Sequence, residues 1–186
     1  MSRRICLFGG SFNPPHVGHV MATAWALSTL PIDALWWVPT WKHAFGKDLA
    51  PWDARLAMAR AAVTPFGDAV RVSDIEGELG GESRTIDTVL ALETRHPDVR
   101  WSLLIGADLV PELPRWKRWS DLQARVDVHV LGRAGYGDPG AHHAVTLPDI
   151  NSSAVRASAA AGRRDDLVPR VPRGVLDEIE RRGLYR

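Results

Sequence analysis

The chain has 186 residues, the length of one compact domain on the usual span of about 100–200 residues. Its 45% hydrophobic and 24% charged residues exclude disordered, collagen-like and low-complexity architectures. With 23 basic against 22 acidic side chains the net charge is +1, which argues against a general polyanion surface and so against a nucleic-acid partner.

Arg4 to Phe8 is a short continuous apolar run closed by Gly9-Gly10, the pattern of a strand buried on both faces. Cys6, the single cysteine, falls inside it, so no internal disulfide forms and a reducing cytoplasm is expected. A helix follows at once, from near His16 to about Leu30, with Val17, Val20, Met21, Ala24 and Leu27 on one side and Pro31 ending it. Ala34 to Val38 is the second strand, and Pro51 opens a helix through Leu56, Met58, Ala59 and Val63. Val70 to Ile75 alternates as a third strand, and Ser83 is placed to cap a helix to about Arg95. Trp101 to Ile105, Asp127 to Leu131 and Ala144 to Leu147 complete the strands, with the glycine-rich Gly132 to Gly140 as a loop. Ser152 begins and caps a short alanine-rich helix, and Pro172 opens the last helix, which stops at Gly183.

Strands alternating with helices predict a single α/β domain over 1–186, Rossmann-like and doubly wound, with a mostly parallel sheet covered by helices on both faces. Ligands of such sheets bind beyond the carboxyl ends of the strands, where strand order reverses, so the loops after Phe8, Val38, Ile105 and Leu131 face the site. No run approaches the roughly 18 apolar residues of a spanning helix, so no membrane association is expected. Charge is uneven: residues 1–60 carry 6 basic and 3 acidic side chains, 61–150 carry 9 and 14, and 151–186 carry 8 and 5. That pattern suits either ordinary solvated helix faces or two basic ends serving one anionic ligand.

The chemistry concentrates in Gly9-Gly10-Ser11-Phe12-Asn13-Pro14-Pro15-His16-Val17-Gly18-His19. Gly9 and Gly10 let backbone amides approach a ligand without a Cβ in the way, and Gly18 thins the first helical turn. The helix N-terminus adds free N–H donors and a positive dipole end, which suits phosphate. His16 and His19, three apart, share one helix face. Two such histidines alone also suit a solvated or packing face; two glycines after a buried strand tip the reading toward a site. A zinc centre would want three or four N or S ligands, and no cysteine or second suitably spaced histidine pair stands nearby, His142-His143 reading as a solvated loop. A phosphate monoester, with a second pKa of about 6, is largely dianionic near pH 7 and attacks another phosphorus without a protein nucleophile. Alignment and charge stabilisation are then what the protein must supply, and adenylyl or nucleotidyl transfer is the natural candidate.

His16-Val17-Gly18-His19 after Gly-Gly-Ser-Phe-Asn-Pro resembles the HxGH signature of the nucleotidylyltransferase superfamily, and the longer match is to bacterial nicotinate-nucleotide adenylyltransferases. The resemblance continues through Ile105-Gly106-Ala107-Asp108 with Trp116 and Trp119, Leu131 to Tyr136, Ile150-Asn151-Ser152-Ser153-Ala154-Val155-Arg156 and Val175 to Arg186. It implies that Gly9, Gly10, Ser11, Phe12 and Gly18 line ATP, and that His16, His19 and Arg156 act in catalysis on its phosphates. Ile150, Ser152 and Ser153 would receive the adenine and triphosphate, so the part from about 150 to 186 completes the ATP site. Thr85 and Asp108 would contact the acceptor, Trp116 would stack on its pyridine ring, and Arg133 would lie near its phosphate. Magnesium would arrive with ATP, usually held through phosphates and water.

The sequence departs from that pattern in places. Asn151-Ser152-Ser153 replaces a serine-serine-threonine run, and Arg84 stands where an aromatic residue is expected. Lys117-Arg118 follow Trp116, so a cation near the ring would favour a nicotinate carboxylate. The segment 39–47 is shorter and more aromatic than the family's proline-rich loop; Lys42, with His43 and Lys47, is read either as a lid residue on the triphosphate or as merely solvated. Arg55 reads as structural or peripheral, and Trp25, Trp36 and Trp37 as core. The expected reaction joins ATP to nicotinate mononucleotide in the cytoplasm, with self-association left open. Alternatives are nicotinamide mononucleotide or phosphopantetheine as acceptor, or a catalytically silent nucleotide-binding module.

Overall fold

Alternation along the central strands divides the core in two. Ile5 and Leu7 of β1 (Arg3–Gly10) join Trp36 and Val38 of β2 (Ala34–Pro39) in one cluster, whereas Cys6, Leu35 and Trp37 join another. A strand apolar on both faces needs cover on both, and the helices supply it. The computed structural model describes residues 2–42, 48–133 and 143–186. Besides β1 and β2 it contains β3 (Val70–Val72), β4 (Val99–Gly106), β5 (Asp127–Arg133) and β6 (His143–Leu147). Each pair of neighbours is parallel, in the order β3-β2-β1-β4-β5-β6. Strand order therefore reverses between β1 and β4, as expected of a doubly wound sheet.

The helices are α1 (Val17–Thr29), α2 (Trp52–Val63), α3 (Ile75–Leu79), α4 (Thr85–Arg95), α5 (Trp119–Gln123), α6 (Ser152–Ala160), α7 (Arg164–Leu167) and α8 (Arg173–Arg182). Ala22 and Ala26 of α1, Met58 of α2, Val155 of α6 and Val175 and Ile179 of α8 pack on the Cys6–Trp37 face. Ile75, Ile86, Val89, Leu92 and Leu122, from α3, α4 and α5, cover the other. Trp37 is fully buried and its indole N–H donates to Thr23 Oγ1 at 2.8 Å, tying β2 to α1. Trp36 is core on the opposite face, and Trp25 packs partly buried against the Cys6–Trp37 cluster. No described helix is long and apolar enough to cross a membrane.

Five local expectations change. The apolar side read for α1 is not its buried one: Met21 and Ala24 are exposed, whereas Gly18, Ala22, Thr23 and Ala26 face the core. Val70 to Ile75 is not one strand: β3 ends at Val72, and Ile75 starts α3. The Ser73 amide makes the last bond to the sheet, to Trp37 O at 2.8 Å, while Ser73 Oγ accepts from the Ile75 amide at 3.5 Å and starts the turn. Ser83 does not cap α4; its hydroxyl is drawn away by the amides of Trp41 and Lys42, at 2.9 and 3.2 Å. Ser152 is the first residue of α6, and the cap is Asn151, whose Oδ1 accepts from the Ala154 amide at 2.9 Å. His143 belongs to β6 instead of a loop. A 3-10 stretch over Ala107–Arg115, with Pro111 and Pro114 inside it, also joins β4 to α5.

Candidate active site

The segment between β1 and α1 carries the site because each residue in it is held. Phe12 has a positive φ of 44°, a conformation costly for a bulky side chain. Its ring is 1% exposed, stacks on Trp37 at 4.4 Å and meets His19 edge-on at 5.0 Å. Phe12 is thus a core wedge beneath the histidine, and only its backbone is offered to a ligand. A Cβ on Gly10 would press on the Phe12 ring at 3.4 Å, whereas one on Gly9 would meet nothing within 4 Å, so packing does not demand glycine there.

His16 caps α1 and is 7% exposed. Its amide donates to His19 Nδ1 at 3.1 Å, and the rings lie 3.8 Å apart. An Nδ1 that accepts leaves the proton of neutral His19 on Nε2, so His19 is fixed as an Nε2 donor. Gly18 makes room for this pair: a Cβ there would sit 3.0 Å from His16 Nδ1 and 3.9 Å from Ile150 Cβ.

The C-terminal elements fasten onto the same segment. Arg156 donates to Asn13 O at 2.8 Å and to Ser153 Oγ at 3.2 Å. Ser152 Oγ donates to Pro14 O at 2.9 Å, and the Val17 amide to Arg170 O at 2.8 Å. Asn13, 3% exposed, accepts on Oδ1 from Tyr185 Oη at 2.8 Å and from the Ala50 amide at 3.1 Å. Burial pushes the Tyr185 phenol well above its ordinary pKa, the guanidinium groups of Arg156 and Arg55 offsetting part of this, so it stays a neutral donor.

Together these residues enclose a cleft of about 780 Å³ lined by Ser11, His16, His19, Ser152, Ser153 and Arg156, with Asn13, Asp48 and Tyr185. It lies beyond the carboxyl end of β1. Gly18 and Ile150 face each other beside His16 and are not among its lining residues; Lys42 is exposed on the segment after β2, where its backbone pairs with Ser83. His43 and Lys47 lie outside the described residues, as does the side chain of Arg133 at the end of β5.

Thr85, Asp108 and Trp116 do not line that cleft. They sit across the switch point, at the start of α4 and after β4. Asp108 folds back over Gly106, where a Cβ would collide with Oδ1. Trp116 is half-buried, edge-on to Trp119 at 6.0 Å. Lys117 bonds Asp87 of α4 at 2.8 Å, which ties the Trp116 and Thr85 segments together. A smaller cavity, about 270 Å³, opens at the amino ends of β4 and β5 between Glu93, Arg100, Arg125 and Asp127, and holds none of the candidate residues.

The model of the family described as cytidylyltransferase-like matches residues 7–158. A protein of Anaeromyxobacter sp. (strain K) named as a probable nicotinate-nucleotide adenylyltransferase is 44% identical over 187 residues, 99% of this chain and 97% of its own length. The chain belongs to the cytidylyltransferase-like family, among the nicotinate-nucleotide adenylyltransferases. A Myxococcus xanthus relative of the same name is 41% identical over 89% of this chain and 87% of its own. In fold the chain is similar to Plasmodium falciparum nicotinic acid mononucleotide adenylyltransferase complexed with NaAD, with a TM-score of 0.83 and 20% identity over 98% of this chain and 97% of that one.

Sequence reasoning passed over Asn13 and Tyr185. Both stand inside the quoted motifs, but the bond between them spans 172 residues. Arg55, read as structural or peripheral, is far from peripheral: it is 2% exposed.

Proposed function

We propose that the protein transfers the adenylyl group of ATP to nicotinate mononucleotide, giving deamido-NAD and pyrophosphate in NAD biosynthesis. The observation that carries this is the convergence of His16, His19 and Arg156 on one cleft beside the switch point, together with membership of a family whose named relatives are nicotinate-nucleotide adenylyltransferases. ATP lies in the cleft with its phosphates toward the start of α1, where backbone N–H groups and the helix dipole favour anions. The acceptor's phosphate oxygen attacks the α-phosphorus; the new P–O bond forms as the bond to the bridging oxygen breaks, and that electron pair leaves on pyrophosphate. No protein nucleophile takes part, and catalysis is alignment and charge stabilisation.

In this reading His19 Nε2 donates to a phosphate oxygen as charge builds in the transition state. His16 does so from the other side of the pair, and Arg156 supplies a fixed positive charge. Ser152 and Ser153 bring the N-terminus of α6 to the triphosphate. Gly9 and Gly10 give the nucleotide close approach to the strand end, and Thr85, Asp108, Trp116 and Arg133 serve the mononucleotide, Trp116 by stacking. Lys42 stands on the segment from which it would reach the triphosphate.

Among the described residues no group of three or more His, Cys, Asp or Glu is placed to hold a metal. The lining of the cleft, chiefly N–H and cationic donors with Asp48 as its carboxylate, fits magnesium carried on ATP with its own water shell. Bound so, it would neutralise charge on the phosphate oxygens, with Asp48 the side chain to meet that shell. A cytoplasmic setting agrees with the buried thiol of Cys6.

The test is the His19→Ala variant alongside wild type, supplied with ATP, magnesium and nicotinate mononucleotide, the product identified by mass. Wild type should form deamido-NAD and the variant should lose about 100-fold or more in kcat, as when an oxyanion donor is removed. An active His19→Ala enzyme would refute the assignment.

A further inference from the structure

Arg55 is a charged side chain in the wrong place for a merely structural one. It rises from α2, is 2% exposed, and has no carboxylate within ion-pair distance among the described residues. Four of its N–H donors instead end on backbone carbonyls of two connections, β1 to α1 and β2 to α2. Nε bonds Ala50 O at 3.0 Å, one terminal nitrogen bonds Ser11 O at 3.1 Å and Thr40 O at 2.6 Å, and the other bonds Trp41 O at 3.2 Å. The guanidinium carbon Cζ lies 5.1 Å from the centre of the Trp52 ring, against which Trp41 packs edge-on. Burying a guanidinium without an ion-pair partner is costly, Glu76 offering only a longer-range attraction, and only a planar five-donor group can serve carbonyls spread this widely.

The Trp41 peptide is also held from its other side. Its N–H is shared by Glu76 Oε2 at 3.1 Å and Ser83 Oγ at 2.9 Å, and Thr88 Oγ1 of α4 donates to Glu76 Oε1 at 3.2 Å. Ser11 and Ala50 line the nucleotide cleft; Ser83 and Thr88 flank Thr85. A continuous chain of bonds therefore runs from the cleft wall through Arg55, the Trp41 peptide and Glu76 to the acceptor side.

Resting on the adenylyl-transfer reading, we infer that Arg55 and Glu76 are positioning residues that hold the two substrate half-sites in register through the Trp41 peptide. Neither touches substrate. Arg55 acts on both halves, Glu76 on the acceptor half alone. In-line transfer is sensitive to such register, a misplacement of about 1 Å costing on the order of 100-fold.

Arg55→Lys, Glu76→Gln and the double variant test this, with kcat and both KM values measured well below each melting temperature. Affinity for α,β-methylene-ATP, measured by calorimetry, reports on the nucleotide half without turnover. Arg55→Lys should lower kcat by about 10- to 100-fold, raise both KM values and weaken the analogue. Glu76→Gln should raise the acceptor KM and leave analogue affinity unchanged. The double variant should lose less than the product of the single losses, since both act on one peptide. Free guanidinium should restore turnover to a folded Arg55→Ala protein, which a lost packing contact would not allow. Wild-type parameters in Arg55→Lys, multiplicative losses in the double variant, or equal effects of Glu76→Gln on both substrates would overturn the inference. A wild-type protein that releases no pyrophosphate would instead overturn the adenylyl-transfer reading, and analogue affinities would still decide the linkage.

Discussion

Replacing Gly18 by alanine separates activity from stability. The added Cβ would stand 3.0 Å from His16 Nδ1 and 3.1 Å from Cε1, about half an ångström inside the roughly 3.5 Å of an unstrained contact. The ring has little room to yield, being 7% exposed and 3.8 Å from His19. Taking about 100-fold per ångström of misplacement, half an ångström costs about tenfold in kcat/KM for ATP. The fold should not suffer comparably, because alanine in place of a helical glycine gains up to about 1 kcal/mol. That gain opposes the strain, so the melting temperature should stay within about 4 °C of wild type for a chain of this size. Thermal melting and a pyrophosphate-release assay on the same preparation give both numbers. Unchanged kcat/KM in a folded Gly18→Ala protein would refute the placement of His16 at the reacting phosphates.

Three further outcomes follow from buried groups. Tyr185→Phe removes the hydroxyl that donates to Asn13 Oδ1 at 2.8 Å, and chemical denaturation should show a loss of about 1 kcal/mol; no loss would mean that this latch between the C-terminal segment and the cleft loop is idle. Burial raises the folded pKa of Glu76 above its ordinary 4.5, against the opposing bonds from Ser83, Trp41 and Thr88. The folded state thus binds its proton more tightly than the unfolded state, so this contribution is fully present below about 4.5 and is lost as pH rises through the folded value. Melting of wild type against Glu76→Gln should show the difference moving in favour of wild type as pH falls toward 4.5; a shift the other way would contradict the burial argument. Burial also pushes the Cys6 thiol up to about 12, a hydrogen bond with Ser102 opposing it. The native protein should therefore resist a thiol reagent at pH 8 and react once denatured, and rapid native reaction would show that β1 opens.

The sheet was legible because its strands are apolar on both faces, a pattern that Ile5-Cys6-Leu7 and Ala34 to Val38 state directly. Boundaries were lost where a side chain competes with the backbone: Ser73 ends β3 early, Ser83 leaves the start of α4 for the Trp41 and Lys42 amides, and Asn151 takes the cap expected of Ser152. Each involves a small polar side chain with several partners in reach, and spacing alone does not choose among them. Of the candidate residues, His16 and His19 are read from local spacing and Arg156 from resemblance, and the fold brings all three to one cleft. Asn13 and Arg55 escaped because their partners are far along the chain: Asn13 meets Arg156 across 143 residues and Arg55 reaches Ser11 across 44. Nothing about a lone asparagine or arginine announces such a role until the loops are assembled around it.

Pairing of ATP with a pyridine mononucleotide at this cleft is decided by acceptor preference. With ATP and magnesium fixed, kcat/KM for pyrophosphate release should be measured side by side for nicotinate mononucleotide, nicotinamide mononucleotide and phosphopantetheine. Nicotinate mononucleotide should give the highest value, with deamido-NAD as the product by mass. Preference for phosphopantetheine, or no release with any of the three, would contradict that pairing.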